Sequence, residues 1–595
     1  MQVPQQVKIN GSFLYHAFLA GGNNIINNQV ELNRINLFPV PDKDTGSNLA
    51  STVRSIIDNT LPHRSYKITL QRIAQAALVG ARGNSGIIFA QFLYGLSHQT
   101  PNSALISLNE FAHSLKQSIP FVYQSMSNPV EGTMLTVIKD WANYIFENRN
   151  NPTGFQKIIS DSLTILEQSL KETNQKLKSL RTTNLVDAGA KGFVVFIQGV
   201  LQFIQSGKKE AIRPTFISTA DIDIHDHYTS QYRYCTEAIL KDVDIELSIL
   251  KEQIASMGDS LVIAGDKALC RIHIHTNQPA DFFQELQQHG QLTSTKADDM
   301  IRQQAISVDR KWDIALVTDS TCDLPKEFIE KYQIHVIPLH LSIGDNQHLD
   351  GVTITPQQFY QQIERTNQVA QTSQINEQTF TNLYSYLTQH YKAIVAIHLT
   401  SHFSGTGNNS LKAAQKVEKE SGIPIRVIDS KTLSGALGLL VAKAAWAIEA
   451  QTPLDELIKE IEECKTNAQI FVSVKSLKYM IRSGRLSKTT GWIVNKLGIL
   501  PIVSMQPNGE SRLLAKTFGQ KRNIQKVFSH VESITKKEKV WNYIVLHADN
   551  EALATTCKLK MVELTGLQPL GVVNISPVIG NHAGKDCVAI SLLTH

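Results

Sequence analysis

Residues 36–48 read "NLFPVPDKDTGSN", and this short stretch decides how the first third of the chain is understood. Two prolines, Pro39 and Pro41, hold the backbone away from helix. Asp42 and Asp44 then stand two apart, so in an extended or turning segment their carboxylates point the same way. Paired hard oxygen anions suit Mg²⁺, which takes few carboxylates and keeps room for phosphate oxygens. Thr45, Gly46, Ser47 and Asn48 follow, where an apolar helical rhythm begins (Leu49, Val53, Ile56, Ile57). Hydroxyls and backbone N–H groups at a helix start favour phosphate. The same residues also make an ordinary turn and N-cap, and the thirteen-residue stretch alone leaves both readings open.

Three further small-residue turns precede apolar helical segments. They are "GARGNSG" (80–86, with Asn84, Ser85 and Gly86), "NPVEGTMLTV" (128–137) and "NLVDAGAKGF" (184–193). Together they would bring several helix ends onto one anionic ligand. Residues 1–205 carry helical periodicity almost throughout, as in Ile159, Leu163, Leu166 and Leu170, and Gly207 is a stop signal.

At 595 residues the chain needs several cores. Hydrophobic content of 42% and charged content of 19% describe a globular protein, and a net charge of +5 argues against a dedicated nucleic-acid binder. The six cysteines show no disulfide-scaffold spacing, and "MQVPQQVKING" has no signal-peptide pattern, so a reducing cytoplasmic setting is expected. "GALGLLVAKAAWAIEA" is too short to span a membrane and reads as a buried helix.

Polar, aperiodic residues 206–230 read as a linker. From 231 to 308 the pattern is that of a small α/β module: "RYCTEAIL", "SLVIAGD" and "CRIHIHTN" as strands, with a helix between the first two. His273 and His275 share one strand face, and with Cys235 they make a candidate N₂S metal set. Cys270 has the opposite parity and should face away. From 309 to 595, apolar runs ending in small polar residues ("IALVTDS", "IHVIPLHL", "AIVAIHL", "IRVIDS") alternate with helices, the pattern of an open α/β sheet with ligands at the strand ends. Hydroxyls in "TSQ" (372–374) and "TSHFSGTGNNS" (400–410), Arg482 and Arg485, and His582 in "PVIGNHAGKD" suit an acid or phosphate group, although strand-end turns favour the same residues.

The four N-terminal motifs, in order, resemble the nucleotide-binding domain of the dihydroxyacetone kinase family, most of all the version in bacterial fatty acid kinases. The resemblance implies a DhaL-like, all-α helical barrel that binds ATP with two Mg²⁺ ions. Asp42 and Asp44 match its metal motif. A third family aspartate is missing, leaving Asn36 or water in its place. Ser85, Thr133, Met134, Asp187 and Gly189 match the loops around the nucleotide. Lys43 departs from the usual glycine and would lie toward solvent or reach a phosphate. The middle module resembles the middle domain of the same kinases, which implies Zn²⁺ on Cys235, His273 and His275 with a fourth position open. Residues 313–595 resemble the DegV family, two-domain α/β proteins that bury a fatty acid. That resemblance implies a carboxylate held by Thr372, Ser373 and Ser404, within the Ser404–Gly405–Thr406 turn, with Arg485 and His582 at the head group. Lys585 and Asp586 depart from the family ending.

The fold expected is therefore multidomain: a helical domain (1–205), a linker (206–230), a small α/β middle domain (231–308) and a two-domain α/β lipid-binding block (309–595). The activity expected is transfer of the ATP γ-phosphate to a fatty acid carboxylate, giving acyl phosphate and ADP. Asp42, Asp44, Arg485 and His582 would serve catalysis. The partners expected are fatty acid, ATP, a second copy of the chain, and a membrane acyltransferase that receives the acyl phosphate for phospholipid synthesis. The competing reading is a non-catalytic fatty-acid carrier or regulator that binds nucleotide. A polyol kinase is a third, disfavoured because nothing matches the separate reactive-histidine protein of that branch.

Overall fold

The structure is a computed structural model that describes residues 8–36, 44–150, 154–181, 183, 185–207, 231–366, 368, 370–475, 479 and 499–595. The chain divides into two compact units, Met1–Gln303 and Gln304–His595. The linker expected at 206–230 lies outside the described residues from 208 onward. Ser206 is still helical, and Gly207 caps that helix with φ 62°, a left-handed conformation that glycine adopts without strain.

The first unit opens with helices α1 (Gly11–Asn27), α2 (Gln29–Arg34), α3 (Thr45–Asn59), α4 (Tyr66–Gly80), α5 (Gly83–Gln99), α6 (Leu108–Ser125), α7 (Met134–Glu147), α8 (Gly154–Lys176) and α9 (Ala188–Ser206). Each surface helix buries one stripe. In α3 the stripe is Leu49, Val53 and Ile56, at helical spacing. Helix α9 is apolar on nearly every side and long enough to cross a bilayer, yet most of it is buried inside the helical core. It lies against α1 at a point where only glycine fits: a Cβ on Gly199 would come within 2.6 Å of the Ala20 carbonyl oxygen. One antiparallel strand pair, β1 (Lys8–Asn10) and β2 (Leu105–Ser107), also joins this domain, a feature the helical periodicity did not reveal.

The middle domain is an antiparallel sheet in the order β4 (Asp259–Gly265), β5 (Leu269–Thr276), β3 (Tyr234–Lys241) and β6 (Gln291–Asp299). Strand alternation divides β5 cleanly. Cys270, Ile272 and Ile274 enter a core with Phe282, Phe283 and Leu286, while Arg271, His273 and His275 occupy the other face. Strand β6 was not expected, because it buries only Leu292 fully among its residues and carries little apolar alternation. Its pairing to β3 makes it a strand. The middle domain packs on α5, where the Gly265 amide donates to Gln91 at 2.8 Å and the Tyr94 hydroxyl donates to Asp266 at 2.7 Å.

The second unit holds a parallel sheet in the order Ile425–Asp429, Ala393–His398, Ile314–Asp319, His335–Ile337. It also holds a six-stranded mixed sheet in the order Ser511–Phe518, Ile499–Met505, Ala468–Ser473, Val588–Thr594, Val540–His547, Gly571–Asn574. A small three-stranded sheet contains His340–Ile343 and Ala370–Ser373. The run "IHVIPLHL" is therefore two strands in different sheets, divided at Pro338, which has no N–H to give to a ladder. The apolar helix Ser434–Glu449 is buried at the centre of this unit, as its composition implied.

Ile274→Ala should destabilise the middle domain by about 2–5 kcal/mol, since the residue is fully buried among large apolar neighbours. Hydrogen exchange should report faster opening of β3–β5, with the protection of residues 313–595 unchanged.

Candidate active site

The N-terminal motifs converge. Asp44 is the N-cap of α3; its carbonyl accepts from the Asn48 amide at 2.8 Å, and its carboxylate makes no capping bond to its own helix. Beside it, Gly83 opens α5 with φ +56°, and a Cβ there would meet the Asn48 side-chain nitrogen at 2.2 Å. Around Gly189 lie the Ser85 hydroxyl, the Asp187 carboxylate and the Met134 side chain, all within 3.3 Å of the Cβ it lacks. Asp187 caps α9 by accepting from the Ala190 amide at 2.7 Å, and the Met134 amide also donates to it. Burial pushes its carboxyl up to about 6, against the pull of those two amides. The starts of α3, α5, α7 and α9 thus adjoin one another. Asn84 Oδ1 is buried there without a hydrogen-bond partner among the described residues.

Other expected residues are turned inward. Ser47 Oγ accepts from Gln29 and Asn33, and its amide donates to Asn33 Oδ1, which ties it to α2. The Thr45 hydroxyl donates to the buried Asn36 Oδ1, so these two support each other. Gly46 allows a close approach, since a Cβ would stand 2.2 Å from the Gln29 carbonyl oxygen. The Thr133 hydroxyl donates to the Val130 carbonyl at 2.8 Å. Asp42 and Lys43 lie outside the described residues.

On the middle sheet, Cys235, His273 and His275 bring one donor atom each within 4.8 Å of the others. Cys235 stands opposite His275 on β5 and opposite Asp298 on β6. Asp259 lies 3.2 Å from His275 Nδ1 and orients that ring, the usual outer support of a metal-bound imidazole. His273 Nε2 is buried with no partner among the described residues. Burial lowers the His273 pKa and so keeps the imidazole neutral, while burial pushes the Cys235 thiol up. Asp44 is near enough for its charge to act on that thiol. This donor set fits zinc, whose binding would displace the thiol proton. Cys270 lies in the core on the opposite face, as its parity required.

Sequence reading missed the charged residues of this face. Glu237 stands opposite His273 on β5 and opposite Lys296 on β6, and Arg271 stands one step further along the same face of β5, opposite Ile239. Period two was the available signal: Glu237 follows Cys235 by two, and Arg271 precedes His273 by two.

In the second unit a cavity of about 440 Å³ is walled by Ile470, Val472, Val503, Leu546, Ile575 and Ile579. Thr372, Ser373, Ser404, Gly405 and His582 bring polar groups to it. Gly405 lets the Gln374 side-chain oxygen come to 2.1 Å from where a Cβ would stand. Thr406 stands behind the wall: it is fully buried, 2.8 Å from the Ser404 hydroxyl, and accepts from the Ile375 amide. Arg485 lies outside the described residues.

Sequence models of three families match in succession: the DAK2 domain at residues 39–202, the FakA-like middle domain of fatty acid kinase at 231–307, and the DegV family at 313–595. The chain joins a DAK2 domain, a FakA-like middle domain and a DegV domain. Curated relatives include an uncharacterized protein of Staphylococcus epidermidis, 29% identical over 57% of this chain and 62% of its own length. Another, from Staphylococcus aureus, is 30% identical over 51% of this chain and 58% of its own. The chain thus spans about six tenths of those relatives. Among solved structures, DegV of Bacillus subtilis, described as a fatty acid binding protein, is 28% identical and covers 48% of this chain and 100% of its own, with a TM-score of 0.44. A DegV family protein of Thermus thermophilus, described by its fatty acid binding, is 22% identical over 48% of this chain and 100% of its own, with a TM-score of 0.43.

Within the DegV domain, the helix Pro577–Ala583 carries His582 to the cavity, and two buried carboxylates hold its start. Asp323 accepts from the Ser576 amide and Asp350 from the Val578 amide, each at 2.9 Å. Burial pushes both carboxyls up, to about 7. A raised carboxyl pKa stabilises the fold most below its ordinary value of 3.8, and that stabilisation is lost as pH rises through about 7. The thermal midpoint of the DegV domain should therefore fall between pH 4 and 7, at up to about 1.4 kcal/mol per pH unit per group. Asp323→Asn should flatten that fall in differential scanning calorimetry.

Proposed function

We propose that the protein is a fatty acid kinase in which the nucleotide-binding and lipid-binding parts share one chain. What carries the reading is the succession of a DAK2 domain, a FakA-like middle domain and a DegV domain whose apolar cavity ends in hydroxyls and a histidine. The DAK2 domain is kinase-like and points to nucleotide and metal use. ATP would lie with its phosphates at the joined starts of α3, α5, α7 and α9, where aligned amides favour negative charge. Asp42, Asp44 and Asn36 would hold Mg²⁺, which neutralises charge on the phosphate oxygens. Ser85, Asn84 and the Asp187–Gly189 loop would border the nucleotide.

A fatty acid would run its chain along the apolar wall and present its carboxylate to Thr372, Ser373 and Ser404, with Arg485 and His582 beside it. A carboxylate is already ionised at neutral pH, so no strong base is needed. Positioning and charge neutralisation carry the transfer, and the products are acyl phosphate and ADP. Cys235, His273 and His275 would hold zinc. An acyl phosphate is a reactive mixed anhydride, so an acyltransferase that consumes it belongs to the reading; a second copy of the chain is a separate part of the proposal.

Purified protein with Mg-ATP and oleate should release ADP and form an acyl phosphate that hydroxylamine traps. Asp44→Ala should lower turnover by at least about a hundredfold while oleate binding is unchanged. Retained lipid with no ADP from the unaltered protein would instead identify a carrier. Cys235→Ser should lose its zinc, as read by elemental analysis of the purified protein.

A further inference from the structure

Glu237 stands between the metal-ligand row and the Gly-rich turn at 80–86. It is 2% exposed, and a carboxylate so buried persists only with good partners. One oxygen accepts the Gly83 amide at 2.6 Å. The other pairs with Arg271, whose guanidinium also donates to the Val79 carbonyl at 3.0 Å. The ion pair therefore grips the turn at both shoulders, residue 79 before it and residue 83 within it. Gly83 is wedged on its other side by Asn48, from the acidic-motif helix. The oxygen that holds Gly83 also lies 3.8 Å from His273 Nδ1.

We propose that Glu237 is a positioning residue that couples occupancy of the Cys235–His273–His275 centre to the nucleotide affinity of the 80–86 turn. This rests on the reading of that turn as part of the nucleotide pocket. An imidazole fixed by ligation keeps its Nδ1 edge beside the Glu237 oxygen and leaves that oxygen on Gly83. Once the ring is free to turn, the oxygen on Gly83 loses the imidazole beside it, and the charge of Lys296, opposite Glu237 on β6, is left to draw the carboxylate without regard to the Gly83 amide. Arg271 then keeps the residue-79 shoulder while the residue-83 shoulder loosens. Coupling of this kind is reciprocal by linkage and commonly amounts to about fivefold or more.

The test is calorimetric titration of the full-length protein with Mg²⁺ and a non-hydrolysable ATP analogue, zinc-loaded and after zinc-selective chelation. The zinc-loaded protein should bind the analogue at least about fivefold more tightly. The analogue should tighten zinc binding by the same factor. Glu237→Gln should retain zinc and oleate, yet bind the analogue with one affinity in both states. Hydrogen exchange over residues 80–86 of the unaltered protein needs no variant: chelation should speed exchange there. Equal affinities in the two states, unchanged exchange, or undiminished coupling in Glu237→Gln overturns the proposal alone. Failure of the zinc-loaded, unaltered protein to bind the analogue overturns it together with the kinase reading.

Discussion

The amides at the start of a helix have no partner within it, and the first unit gathers several such starts in one place. Helices α3, α5, α7 and α9 begin next to one another because their first turns are made of glycine, serine, threonine and aspartate, which allow backbones to meet. Gly83 and Gly189 are the contact points: a Cβ on Gly83 would strike the Asn48 side chain, and one on Gly189 would crowd the Ser85 hydroxyl. Some of the amides are satisfied internally, as Ala190 is by Asp187. The one at Gly83 is satisfied from another domain altogether, by Glu237. The shape of the 80–86 turn is therefore a joint property of the DAK2 and middle domains.

Much of this was legible in the sequence, for a reason specific to each residue. Strand alternation alone placed His273 and His275 on one face and Cys270 on the other, because a strand has two sides and little freedom. The cavity residues Thr372, Ser373, Ser404 and His582 were legible as polar groups at the ends of apolar runs. Hydroxyls on helices were harder. Ser47 and Thr406 sit in the expected motifs, but spacing does not say which side of a first turn a hydroxyl takes, and neighbours that are remote in sequence claimed both. Strand β6 escaped because ladder hydrogen bonds, to which an apolar pattern is blind, make it a strand. Pro338 divided a run whose composition read as continuous.

The buried charges of the middle sheet show the same economy. Glu237 and Lys296 flank the row that holds His273, and Arg271 lies one step along the same face, so a single face supplies both buried charges and a soft donor set. On the proposed reading, a DegV domain that holds lipid on the same chain would raise the local concentration of one site about the other without any new contact.

The pairing of α1 with α9 has a consequence for biogenesis. Helix α1 rests on α9, at Gly21 and Gly199, so the contact most distant in sequence within the helical core is also among its tightest. A growing chain cannot give α1 its α9 partner until residue 206 has left the ribosome. Helices adjacent in sequence can cover part of one another's apolar stripes as they emerge, but the face of α1 that α9 covers must wait. Folding of this domain is thereby deferred to a late step of synthesis, in the interval when ribosome-associated chaperones have most to protect.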